Sequence, residues 1–243
     1  MKNAIVFFLL VFQLLSYSQE MGGEVYYKVV FAVDSSLKDK SSRIDLMQQK
    51  AITGSDKINF KLIFNKEKSV FSLVESIEDS DVKFSIAWAN CRNKILTVLN
   101  ENKSYYNNSA SSLGVFKDKE FLVYNSFENN WKLLNETKFI DKFKCYKALQ
   151  EVEYTTGKGI QTKTIIAWFC PEIPYSFGPK GYFGLPGLIL ELTDRNTTFI
   201  ANKIVLSKGI NVEFSKEGKL ISHDEYQKII RTRMDALRST LSD

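Results

Sequence analysis

The chain has 243 residues, 44% of them hydrophobic, and a formal charge of +5 at pH 7. That length suits one large domain or two small ones and can bury a core without metal or dense disulfides. The charge is diluted, with both signs alternating as in Lys117-Asp118-Lys119-Glu120. Neither the basic block with interleaved aromatics of a nucleic-acid binder nor the single-sign face of a membrane-surface protein is present.

At the N-terminus Lys2 supplies a short positive region, and residues 4–15 are apolar except for Gln13. Ser16-Tyr17-Ser18 then sets small residues at the −3 and −1 positions of a cut before Gln19. This three-part pattern predicts a cleavable signal peptide over residues 1–18. The apolar run is shorter than the roughly 20 residues a bilayer span needs. No cysteine stands at the cut, so no lipid anchor is expected there, and no later stretch reads as a transmembrane helix. The mature chain, 19–243, is expected as a single domain in the periplasm, associated with the outer membrane, or secreted.

Next come segments with the two-residue period of strands. Residues 25–33 are rich in Tyr, Val and Phe, and Ile58, Phe60, Leu62 and Phe64 alternate along 58–64. Further strands are expected at 70–74, 84–89, 95–99, 120–126, 131–140, 143–154, 161–170, 188–193 and 198–206. Alternating βα units are absent, which argues against a doubly wound fold. The expectation is a mainly β protein: a curved antiparallel sheet, or a partly open barrel or sandwich that hides its edges. Weak periodicity suggests a helix at 41–51. A stronger one is expected at 222–241, packed on the sheet. There Ser222 and Glu225 form a capping box, and Ile230, Met234, Leu237 and Leu241 recur at helical spacing.

The cysteines are Cys91, Cys145 and Cys170. Export to an oxidising compartment favours a disulfide. If Gly157-Lys158 is the loop of a type II′ hairpin, Thr156 faces Gly159 and, counting back along both strands, Cys145 faces Cys170. That pair is non-hydrogen-bonded, where α-carbons approach closest. A loop at Lys158-Gly159 would break this pairing, and pairing of Cys91 with either partner is also open.

All four prolines and four of the twelve glycines fall between Cys170 and Leu188. Leu185-Pro186-Gly187-Leu188 has the residues of a type II turn, with Pro at its second position and Gly at its third. Gly184, Pro186 and Gly187 are thus expected as turn residues. Tyr175, Phe177, Tyr182 and Phe183 either cover the end of a core or form an apolar surface for a partner or ligand.

The hexapeptide Gly184–Ile189 reads GLPGLI. With Trp131-Lys132-Leu133, Glu136-Thr137-Lys138, Cys145-Tyr146-Lys147-Ala148, Ala167-Trp168, Pro171-Glu172-Ile173-Pro174 and Gly178-Pro179, it makes the chain resemble the GLPGLI family. The resemblance covers about the second half of the mature chain. It implies an exported β protein of a group of Gram-negative bacteria and brings no catalytic residue. Cys170 stands where the family's pattern has a Thr, so a bond from Cys145 to Cys170 would be particular to this chain.

No motif carries chemistry. His223 is the one histidine, so neither a zinc site of usual spacing nor a triad with a Gly-x-Ser-x-Gly elbow can be written. No Gly-rich phosphate loop occurs. Neither a catalytic residue, a metal nor a cofactor is therefore expected. Glu151 and Glu153 share one face of a strand and read as solvated carboxylates. The leading expectation is a non-catalytic envelope module that binds an apolar small molecule or an outer-membrane partner, with no nucleic acid. The alternative is an enzyme using carboxylate or tyrosine chemistry. A cleft joining Glu151, Glu153 or Glu172 to buried polar groups would favour it.

Overall fold

The first strand sets the pattern. Along β1 (Met21–Phe31), Val25, Tyr27, Val29 and Phe31 enter the core, while Lys28 and Val30 face water. The structure is a computed structural model describing residues 21–33, 42–74, 79–110, 114–126, 129–156 and 159–242. The expected signal peptide and the hairpin loop 157–158 lie outside the described residues.

After β1 come helix α1 (Ser42–Gly54) and strands β2 (Asn59–Phe64) and β3 (Lys68–Leu73). Helix α2 (Ser80–Ala89) precedes β4 (Ile95–Val98), β5 (Lys103–Asn107) and β6 (Phe121–Ser126). The second half holds β7 (Lys132–Ile140), β8 (Phe143–Thr156), β9 (Gly159–Cys170), β10 (Leu188–Asp194), β11 (Thr197–Lys208) and β12 (Lys219–Ser222). Helix α3 (His223–Ser242) ends the described chain. All twelve strands belong to one sheet, ordered β12-β6-β5-β4-β3-β2-β1-β11-β10-β9-β8-β7. Every pair is antiparallel except β12 with β6. The mainly β class and the terminal helix are as read from the sequence; the sheet is open, not a barrel, with β7 and β12 at its edges.

The sheet coils around one apolar face. Tyr27, Phe60, Leu62, Phe71 and Phe199 pack there, with Phe60 stacked on Phe71 at 5.4 Å. The same face of β8 to β10 presents Ala148, Ile165, Ala167 and Leu192 to Tyr182 and Leu185 of the connection after β9. That connection also touches Ile95 of β4 and Ser104 of β5. The two halves of the sheet therefore face each other across it. On the outer face, Val212 and Ile210 of the segment between β11 and β12 cover Val70, Leu96 and Tyr105.

Residues 84–89, expected as a strand, are helical. Alternation over six residues cannot distinguish the two states, and the decisive residue lies upstream. Asp79 caps α2 by accepting from the Val82 N–H at 2.9 Å, and Val82, Ser85, Ile86 and Ala89 then bury at helical spacing. Strands β5 and β12 had no strong sequence signal: each is short and defined by its neighbours. The capping box of α3 is formed, with the Ser222 N–H donating to Glu225 at 2.9 Å and the Glu225 N–H to Ser222 at 3.2 Å. Its packing stripe starts earlier than expected. Tyr226, Ile229 and Ile230 meet Phe116, Phe121 and Val123, and Arg233 holds Glu120 by two bonds of 2.6 and 3.0 Å.

The β8–β9 hairpin has the expected register, Thr156 opposite Gly159. One step beyond the Tyr146–Phe169 pair, Cys145 comes opposite Cys170. The expected disulfide is not formed: Cys91, Cys145 and Cys170 are all free, buried thiols. Burial pushes the Cys91 and Cys145 thiols up to about 12 and raises Cys170 as well. Register alone does not make the bond: it sets the two residues opposite each other, and the sulfurs remain separate thiols.

Candidate functional site

The connection 171–187 reads from the sequence either as cover for the end of a core or as an apolar surface for a partner or ligand. The structure folds it inward. Phe177 is fully buried and Phe183 and Tyr182 nearly so, while Tyr175 packs on Phe64 in a tilted arrangement, with ring centroids 4.8 Å apart, and donates its hydroxyl to the Met21 carbonyl at 2.8 Å. These four aromatics form no surface patch; they fill one end of the coiled sheet. The backbone is satisfied within the sheet: the Ile189 N–H donates to Phe177, the Leu188 N–H to Ile173, and the Trp131 indole to the Phe183 carbonyl.

The expected type II turn is replaced by a tighter one. The Gly187 N–H donates to the Leu185 carbonyl at 2.8 Å, making a three-residue turn about Pro186, because the Leu188 N–H is already taken by Ile173. Gly187, at φ +153°, lies against the Cys170 carbonyl, which a Cβ would approach to 2.2 Å. Gly184 also has positive φ, +91°. Both turn glycines are required by geometry, as the sequence suggested, although the turn type differs.

Beyond this filled end the coil stays open as a polar cleft of ≈ 1030 Å³. One wall is the distal hairpin, Gln150 to Tyr154 with Thr162 and Lys163. The opposite wall is Ser104, Tyr106 and Asn125 of β5 and β6, with the end of α2 and the start of α3 beside them. The floor is Lys180, Tyr182 and Asp194. A second hollow, of ≈ 950 Å³, lies under the segment 209–217, and two of its lysines pair at the surface, Lys119 with Glu217 and Lys216 with Glu101.

Asp194 is the centre of the floor. Its oxygens accept from Lys163 at 2.7 Å and from Lys180 at 2.8 Å, with the Arg195 guanidinium at 3.8 Å. Burial would raise this carboxyl, yet the charges of Lys180 and Lys163 outweigh burial and hold it below the usual carboxylate range. Burial lowers Lys163, and Asp194 recovers only part of that shift because Lys180 and Arg195 press the other way. Burial also raises the Tyr182 phenol, and neighbouring Asp194 adds to it. On the wall, Tyr106 Oη lies 3.1 Å from His223 Nδ1 and Gln227 Nε2 lies 3.3 Å from His223 Nε2. Burial holds His223 below its ordinary value, so the ring is neutral at pH 7.

The sequence reading did not find Asp194, Lys163 or Lys180. They lie far apart in the chain among many alternating charges, and only the sheet register and the 3₁₀ turn Pro179–Gly181 bring them together. One local sign existed: a lysine between proline and glycine, where a left-handed backbone is convenient. Lys180 does sit at φ +57°. Glu151 and Glu153 border the cleft, both exposed; Glu172 is exposed and not part of it.

Residues 155–191 match the model of a family described as Protein of unknown function (Porph_ging). The match runs from the tip of the hairpin through the buried connection to β10. No curated protein matches the sequence. A structure of PNGF-II in the P21 space group is similar over 89% of this chain and 34% of that one, with a TM-score of 0.52 and 13% identity. The chain thus spans about a third of the length of PNGF-II, and at this identity the likeness is one of fold alone. No helix among the described residues is long and apolar enough to cross a membrane.

Proposed function

We propose that this chain is an exported envelope protein of the GLPGLI type and acts as a non-catalytic binding module, taking a ligand in the polar cleft. The observation that carries the reading is that one concave face is filled by its own connection at one end and left open at the other, among amides, hydroxyls and an ion network. The match over 155–191 supports the family part. The lining moves the ligand class from apolar to polar: Asn125, Gln150 and Thr162 offer hydrogen bonds, and Tyr106 and Tyr154 offer ring faces.

The enzyme reading draws on the carboxylates around the same cleft. Asp194, however, is committed to two lysines, and burial raises the Tyr106 and Tyr182 phenols away from ionisation. A base poised near neutrality is the usual need of such chemistry; the neutral His223 on the wall has both ring nitrogens engaged, by Tyr106 and by Gln227, so binding is favoured. The test is a native mass spectrum of protein purified from its own cell envelope without reductant. A small adduct is expected, and Asn125→Trp, which fills the cleft, should remove it. A bare wild-type chain, or an adduct unchanged by Asn125→Trp, would overturn the reading. The same spectrum reports whether residues 1–18 are absent.

A further inference from the structure

We propose that the ligand of this cleft carries an anionic group, a carboxylate or a phosphate, that docks on Lys163 and Lys180. The proposal rests on the cleft being the binding site and names its ligand's chemistry.

The floor holds more positive than negative charge. One carboxylate, Asp194, serves two ammonium groups at 2.7 and 2.8 Å and a guanidinium at 3.8 Å. The Asp194 side chain is 3% exposed, and those of Lys163 and Lys180 are 15% and 13% exposed. Surplus charge is tolerable on an exposed surface and costly in a buried site, where it calls for a counter-charge. The ring of Tyr154, near Lys163 and Arg195, offers only a weak one. Glu151 and Glu153 stand in water at the rim, where their field is screened. Each ammonium has three donors and spends one on Asp194, so both can also donate toward the cleft that they line.

Lys180 carries a second sign. A left-handed backbone at φ +57° is unfavourable for a side chain with a Cβ, and residues held in such conformations concentrate at ligand sites. Here the conformation sets the ammonium on the cleft floor beside Lys163. Lys163 is lowered by burial and by Lys180 and Arg195 in spite of its bond to Asp194, which agrees with an excess of cations. Asp194 then has the role of holding two donors, one on each of its oxygens, and leaving net positive charge for the ligand. An incoming anion would gain two charge-assisted bonds of the strong kind.

The experiment is titration of the purified full chain with inorganic phosphate and with glucuronate, using neutral glucose as the paired control. Binding is followed by calorimetry and by the ¹⁵N-ammonium signals of lysine. Phosphate or glucuronate should bind, shift two lysine signals and bind more tightly than glucose; which of the two binds better tells phosphate from carboxylate. Lys163→Gln and Lys180→Gln should each weaken that binding by about tenfold or more, the scale of a lost charge-assisted bond. Should either fail to fold, Arg195→Gln, on a half-exposed side chain, should weaken binding by about threefold. No binding of either anion, or equal affinity in all folded variants, would overturn the proposal. An envelope adduct removed by Asn125→Trp but unaffected by Lys180→Gln would sink the anionic group and leave the cleft reading standing. An adduct indifferent to both changes would sink both.

Discussion

Two ends of the same concave face solve the same problem differently. At one end the connection 171–187 enters the coil and buries Phe177, Phe183 and Leu185 against the sheet. At the other, the walls carry Gln150, Asn125 and Tyr106, and the floor carries Asp194 between two lysines. The backbone is the same open sheet throughout. The difference teaches that side-chain polarity, more than sheet curvature, decides where this fold closes. Apolar side chains gain by excluding water and draw the connection in, whereas amides and charges lose hydration unless each finds a partner.

The comparison is broken most severely at Gly187. A methyl group there would meet the Cys170 carbonyl at 2.2 Å, on a backbone at φ +153°. Gly187→Ala should cost about 4 kcal/mol or more, at the upper end of single-residue effects, and urea unfolding would read it. A loss under about 1 kcal/mol would show that the filled end is looser than its contacts indicate.

The open end should be less sensitive, and to charge instead of volume. Asp194→Asn leaves two buried ammonium groups without their carboxylate and should cost about 3 kcal/mol, the scale for breaking a buried pair. Replacing Asp194, Lys163 and Lys180 together by methionine should recover most of that loss, since well-packed apolar groups often substitute for buried ions at little cost. Failure of the triple variant to recover would mean that the network shapes the floor as well as balancing it.

The smallest effect concerns pH. Folding lowers the pKa of His223 below the ordinary 6.5. The unfolded chain therefore takes up a proton first as pH falls. The contribution of His223 is fully present above about pH 6.5 and is lost as pH drops through the folded value. The pKa of Asp194 is also lowered, from 3.8, so its contribution persists to below that pH. Melting temperature should thus decline modestly between pH 7 and 5, and His223→Gln should flatten that decline. An identical decline in the variant would assign it to other groups.

Much of the fold was legible locally. Alternation along β1, β2 and the β8–β9 hairpin reports one buried face, because a strand turns its side chains to opposite sides at every step. The hairpin register followed from Gly157 and Gly159, and the α3 boundary from Ser222 and Glu225, because turns and caps are chemistry of neighbouring residues. Short range also misled: residues 84–89 alternate like a strand, yet Asp79 upstream starts a helix.

Tertiary structure alone decided the rest. Phe177 and Phe183 could be read as core cover or as surface until the coil of the sheet gave them a place to bury. Facing positions for Cys145 and Cys170 followed from counting, but whether the thiols join depends on their surroundings. Asp194, Lys163 and Lys180 are three charges among many until strand register and a left-handed turn set both ammonium groups within 3 Å of the Asp194 carboxylate. Local pattern carries the conformation of each segment, because that depends on neighbours in the chain. A site depends on distances between residues remote in sequence, and those are set only when the sheet coils.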